Sequence, residues 1–135
     1  MKQVLSIYVH RDLTHPGADL SQMYSNSVKE ECDKLKAEGA GPSCFIAESL
    51  QSCGGQIIYP ENYLRDVYAH IRDAGGICIA DEVQVGFGRV GTHWWAFETQ
   101  GVVPDIVTIG KPMVSKYTKP FVKVIMKRKK YNTSK

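Results

Sequence analysis

The 135-residue sequence contains no run of 18 apolar residues, so no spanning helix is expected. Its first twenty residues lack the apolar stretch of a signal peptide and already carry Asp12 and Asp19, so no targeting segment is expected either. Cysteine is sparse. Cys32, Cys44, Cys53 and Cys78 form no C-x-x-C pair, which argues against a zinc site or a disulfide framework and favours a reducing compartment. The four histidines, His10, His15, His70 and His93, show no ligand spacing, so no metal site is expected. Acidic residues are missing after Met113, where eight Lys and Arg stand without a single Asp or Glu. Residues 1–113 therefore carry a net charge of −5 inside a chain whose formal total is +3. A basic pI taken from the whole chain would misrepresent the body, and nucleic-acid binding is not expected of it.

What is present alternates in type. Tyr24, Val28, Cys32 and Leu35 repeat at helical spacing between Asp19 and Glu38, ahead of Gly39. A short apolar run, Cys44–Ala47, ends at Glu48, and a polar loop follows from Ser49 to Pro60. Tyr63, Leu64, Val67, Tyr68 and Ile71 mark one face of a second helix, closed by Gly75 and Gly76. A second apolar run, Ile77–Ala80, ends at Asp81, and a third, Ile106–Ile109, ends at Gly110 and Lys111. Helices alternating with short apolar runs imply an α/β fold with a parallel-rich sheet.

Glu48, Asp81 and Lys111 thus stand just beyond three strand ends. If the strands are neighbours, two carboxylates and an amine share the edge at which open α/β sheets bind ligands. Any one of these charges could instead end its strand simply because strand ends meet water. A lysine and a carboxylate so placed would suit pyridoxal phosphate: the amine binds the aldehyde, and the carboxylate keeps the ring nitrogen protonated. An Asp–Lys pair could equally be a structural ion pair. The glycines Gly86, Gly88 and Gly91 lack the flanks of a dinucleotide fingerprint.

The stretch from Asp81 to Gly91 (DEVQVGFGRVG), followed by Pro104 to Lys111 (PDIVTIGK), resembles the cofactor-binding region of class III pyridoxal-phosphate-dependent aminotransferases. The resemblance extends back through Phe45–Ile58 and more faintly to Asp19. It leans toward the branch of ethanolamine-phosphate phospho-lyases and alanine–glyoxylate aminotransferase 2-like proteins. It implies part of a fold type I large domain, incomplete here, with residues 1–113 as a fragment of that domain. Residues 114–135 are read as an unrelated basic tail, expected to be disordered, with a short strand or helix over Phe121, Val122, Val124, Ile125 and Met126 as the alternative.

The resemblance implies roles residue by residue. Lys111 would be the Schiff-base lysine, Asp81 the partner of the pyridine nitrogen, and Gln84 a partner of the ring hydroxyl. Val83 would pack on the ring face, and Glu48 would lie near the cofactor. Cys53 falls where many aminotransferases of the class carry a second glutamate, which favours elimination over transamination. The expected substrate is a phosphorylated amine of the ethanolamine phosphate type, with amino acids and keto acids of a transaminase as the alternative. The resemblance further implies a homodimer for the full-length relative and a mitochondrial location, with cytoplasm as the alternative. Little or no turnover is expected from this chain alone. A non-catalytic fragment that self-associates through uncovered sheet edges, or binds polyanions through its tail, is the competing reading.

Overall fold

The computed structural model describes residues 19–53, 55–111 and 123–126, the last as backbone. The first helix, α1 (Leu20–Ala37), begins at Asp19, whose carboxylate accepts from the Gln22 N–H at 3.2 Å. Its inward stripe is Ser21, Ser25, Val28 and Cys32, so two of the four inward positions are hydroxyls. Strand β1 (Cys44–Glu48) follows, then α2 (Tyr63–Asp73), whose buried face is the one expected: Tyr63, Leu64, Val67, Tyr68 and Ile71. Gly76 closes the turn into β2 (Ile77–Asp81) because a Cβ there would meet the Pro42 carbonyl oxygen at 2.8 Å. A 3₁₀ helix (Ala96–Gln100) and β3 (Ile106–Ile109) complete the core elements.

The sheet order is β1-β2-β3-β4, with β1, β2 and β3 mutually parallel. Strand β4 (Lys123–Met126) pairs antiparallel to β3. Here the expectation of a disordered tail is corrected for these four residues. Lys123-Val124-Ile125-Met126 is apolar after its first residue, and the outer edge of β3 offers it unpaired backbone groups. The rest of that tail, residues 112–122 and 127–135, lies outside the described residues, as does the expected irregular opening up to Ala18.

Side-chain alternation splits the sheet into two faces. Phe45, Cys78, Ala80 and Val107 face the helices and join Val28, Cys32, Leu64, Val67, Tyr68 and Ile71 in one core. Ile46, Ile79 and Ile106 align across the other face, which no described helix covers, and Ile46 is 58% exposed. At the carboxyl end of that same face stand Glu48, Asp81 and Thr108, paired in register across three strands. No helix among the described residues is long and apolar enough to cross a membrane.

Candidate functional site

Parallel strands put their carboxyl ends on one edge, and the register makes this concrete. Glu48 is the Cα partner of Asp81, and Asp81 is the partner of Thr108. Lys111 lies three residues beyond Thr108 and is exposed, and among the described residues nothing bonds its amine. The structure thus brings Glu48, Asp81 and the segment that leads from β3 to Lys111 to one edge. Asp81 and Lys111 come from neighbouring strands, while Glu48 stands one strand further away.

Each of these side chains has a distinct local setting. Asp81 accepts the Val83 N–H on Oδ1 at 3.0 Å, which folds the chain back over its own carboxylate; no described residue donates to Oδ2. Val83 is half-buried. Glu48 is held by Ser52, whose N–H and hydroxyl both donate to Oε2, at 2.8 and 2.6 Å. Gln84 reaches across to the loop after β1, its Nε2 lying 3.5 Å from Cys53 Sγ. Tyr59 is buried behind this loop; burial raises its phenol above the ordinary value, a bond with Gln51 opposes the shift, and the charge of Glu48 adds to it.

Two residues at this edge escaped the sequence reading. The first is Glu82, which carries no exposure at all. Its carboxylate accepts from the Ser49 hydroxyl at 2.5 Å, the Ala96 N–H at 2.8 Å and the Phe97 N–H at 3.0 Å. Burial pushes this carboxyl above its ordinary value; the three hydrogen bonds oppose the shift and the neighbouring Asp81 charge adds to it. Parity was the available signal, since Glu82 continues the Cys78–Ala80 row that faces the core. The second is Thr108, whose Oγ1 is buried with no hydrogen-bond partner among the described residues. Its register beside Asp81 was the available signal.

Phe87, Trp94, Trp95 and Phe97 form an aromatic cluster beside this edge that is packed in part. Phe87 meets both Trp94 and Trp95 edge-on, and Trp95 stacks on Phe97 at 6.3 Å, but Trp94 remains 59% exposed. Arg72 serves the fold, bonding the Val103 carbonyl at 2.7 Å and Asp105 at 3.2 Å.

The sequence profile of class-III aminotransferases matches residues 7–133. This chain belongs to that family. A Drosophila melanogaster protein named alanine–glyoxylate aminotransferase 2-like is 60% identical over 102 residues, which cover 76% of this chain and 21% of the relative. Ethanolamine-phosphate phospho-lyase homolog 1 of Caenorhabditis elegans is 48% identical over 94 residues, covering 68% and 20%. The human alanine–glyoxylate aminotransferase 2, named as mitochondrial, is 46% identical over 82 residues, covering 56% of this chain and 16% of its own length. Among solved structures, an Arthrobacter phospholyase in complex with phosphoethanolamine superposes with a TM-score of 0.65 at 39% identity, covering 70% of this chain and 22% of that one. An omega transaminase from Pseudomonas jessenii in complex with PMP gives 0.75 at 26% identity, covering 87% and 26%. The chain spans about a fifth of the length of the curated relatives it matches. Its fold is part of a fold type I pyridoxal-phosphate enzyme, and the family's cofactor is pyridoxal phosphate.

The residues present fit the ring end of that cofactor. Among the described residues, a carboxylate with one oxygen unclaimed, a buried hydroxyl without a partner and a carboxamide lie around one sheet edge, beside the segment that carries the exposed Lys111.

Proposed function

We propose that this chain carries the ring-binding, lysine-bearing part of a pyridoxal-phosphate site whose whole enzyme eliminates phosphate from a phosphorylated amine. The observation that carries the reading is the register: Asp81 and the Lys111-bearing strand are adjacent, parallel and open at the same edge. When bound, the cofactor supplies an aldehyde for amine capture and an electron-withdrawing ring. Lys111 is the amine that would hold the aldehyde and then move the proton at the substrate's reacting carbon. Asp81, braced by the Val83 N–H, would hold a proton on the ring nitrogen through its unclaimed Oδ2. Gln84 would donate to the ring hydroxyl in place of Cys53, and Val83 would offer the ring an apolar face. Glu48, clamped by Ser52, would define the far wall of the site.

Elimination is preferred to amino transfer because Cys53 occupies the position of the second glutamate in the resemblance. The likeness to a phospholyase that holds phosphoethanolamine supports the same substrate class. A homodimer of the longer protein and a mitochondrial location, as in the name of the human relative, belong to the same proposal.

Two measurements test this reading. Borohydride reduction of the 135-residue chain with pyridoxal phosphate, followed by peptide mapping, is expected to place the label on Lys111 and to lose it in Lys111→Ala. Label spread over other lysines, or kept by the variant, removes Lys111 from its role. In a longer protein carrying these residues, phosphoethanolamine is expected to release inorganic phosphate. Efficient amino transfer from alanine to a keto acid, with no phosphate released, would restore the transaminase reading.

A further inference from the structure

Among the described residues of this sheet edge, Thr108 holds a buried hydroxyl that nothing uses. Its Oγ1 is buried with no hydrogen-bond partner among the described residues, although its backbone carbonyl is bonded by the Glu82 N–H at 2.9 Å. A buried hydroxyl is rarely left without a partner, because it has given up water and gained nothing in return. In the next strand, at the paired position and on the same face, stands Asp81, whose Oδ2 no described residue serves. The two unmet needs are complementary: a hydroxyl is a donor and a carboxylate oxygen accepts. Neighbouring strands are about 4.8 Å apart, so the two side chains stand within reach of each other, although in this structure no bond joins them.

We propose that Thr108 is a positioning residue for Asp81, its hydroxyl donating to Oδ2 and fixing the plane of the carboxylate. With Val83 N–H on Oδ1 and Thr108 on Oδ2, both oxygens are oriented, and a lone pair of Oδ2 is left for a ring N–H. Its bearing on catalysis rests on the pyridoxal-phosphate reading given above; the pairing itself does not.

The test is a carboxyl-carbon NMR titration of Asp81 in the ligand-free 135-residue chain. The charged groups around Asp81 are Glu48 on β1, Glu82 next in the chain and Lys111 beyond β3, and the substitutions leave all of them in place. Thr108→Val keeps shape and removes the donor, so the Asp81 midpoint is expected to rise by about half a unit to one unit. Thr108→Ser restores the hydroxyl and should return the midpoint to within a few tenths of a unit. A midpoint unmoved in Thr108→Val, accompanied by a more stable fold, would show a hydroxyl that is merely orphaned and would overturn the proposal. In a second arm, weaker retention of pyridoxal phosphate in Thr108→Val, by about three- to tenfold with rescue in Thr108→Ser, supports the same role, and equal retention in all three chains opposes it. Failure of wild type to take up label at Lys111 would sink the cofactor reading and leave the Asp81 titration to judge Thr108 alone.

Discussion

Glu82→Ala is expected to destabilise the fold by about 3–5 kcal/mol, from two stranded N–H groups and one stranded hydroxyl at about 1–3 kcal/mol each, less the relief of a buried charge. The donors affected are Ala96 N–H, Phe97 N–H and the Ser49 hydroxyl, all buried with the carboxylate that serves them. The loss is a large part of what a small domain has, about 5–15 kcal/mol. It is also directional. Glu82 joins the end of β2 to the start of the 3₁₀ helix and to the residue after β1, so its removal loosens the Trp95–Phe97 stack beside the sheet edge. Urea unfolding followed by tryptophan fluorescence reads both effects. Glu98→Ala is the control: Glu98 also caps the same helix, accepting the Trp95 N–H at 2.9 Å, but it is exposed and should cost about 0.5–1 kcal/mol. Equal losses in the two variants would remove Glu82 from this role.

The same carboxyl imposes a pH dependence whose sign follows from its raised value in the fold. Above the ordinary carboxylate pKa, the unfolded chain has lost this proton while the folded chain still holds part of it. Folding therefore takes up a proton, and stability falls as pH rises from that ordinary value through the raised one. Glu82→Gln has no such proton. The stability of wild type minus that of Glu82→Gln should decline between about pH 4.5 and the raised midpoint, then level off. A difference that grows with pH would mean that the three hydrogen bonds outweigh burial.

The strands were legible because strands of parallel sheets read as short continuous apolar runs, a pattern kept here although no described helix covers the face of Ile46, Ile79 and Ile106. Cys44–Glu48, Ile77–Asp81 and Ile106–Ile109 follow that pattern, each ending where the charge or glycine begins. Gly39 and Gly75 marked the helix ends because both adopt positive φ, at 74° and 87°. Strand β4 was obscured by composition, since the lysines and arginine around it outweigh three apolar residues in any reading by charge. Glu82 was hidden for a different reason. A glutamate beside a strand end reads as solvated, and the acceptors that Ser49, Ala96 and Phe97 require become visible only when loops 33, 14 and 15 residues away converge on it. Thr108 shows the same limit from the other side, because an unpaired hydroxyl is a property of the packed state. The roles proposed for Asp81 and Lys111 rest on their strand-end placement together with the motif resemblance; periodicity alone left an ion pair equally open.

In a longer protein carrying these residues, Asp81→Ala is expected to lower turnover by about 10²–10³-fold, whereas Gln84→Ala should lower it by about tenfold or less. An opposite charge in contact moves a partner's pKa by about 1–3 units, and each unit is a factor of ten in the protonated ring on which the reaction depends. Gln84 offers one neutral hydrogen bond, and in the free chain its amide rests at 3.5 Å from the Cys53 sulfur, a weak acceptor whose loss matters little. Asp81→Asn separates charge from shape. The amide keeps an oxygen for the Val83 N–H and fills the same space, but it cannot hold a proton on the ring nitrogen. Asn should therefore lose almost as much turnover as Ala while folding as stably as wild type. Turnover near wild type in Asp81→Asn would show that orientation by Val83, rather than negative charge, is what position 81 contributes, and the electron-sink argument for this edge would fall with it.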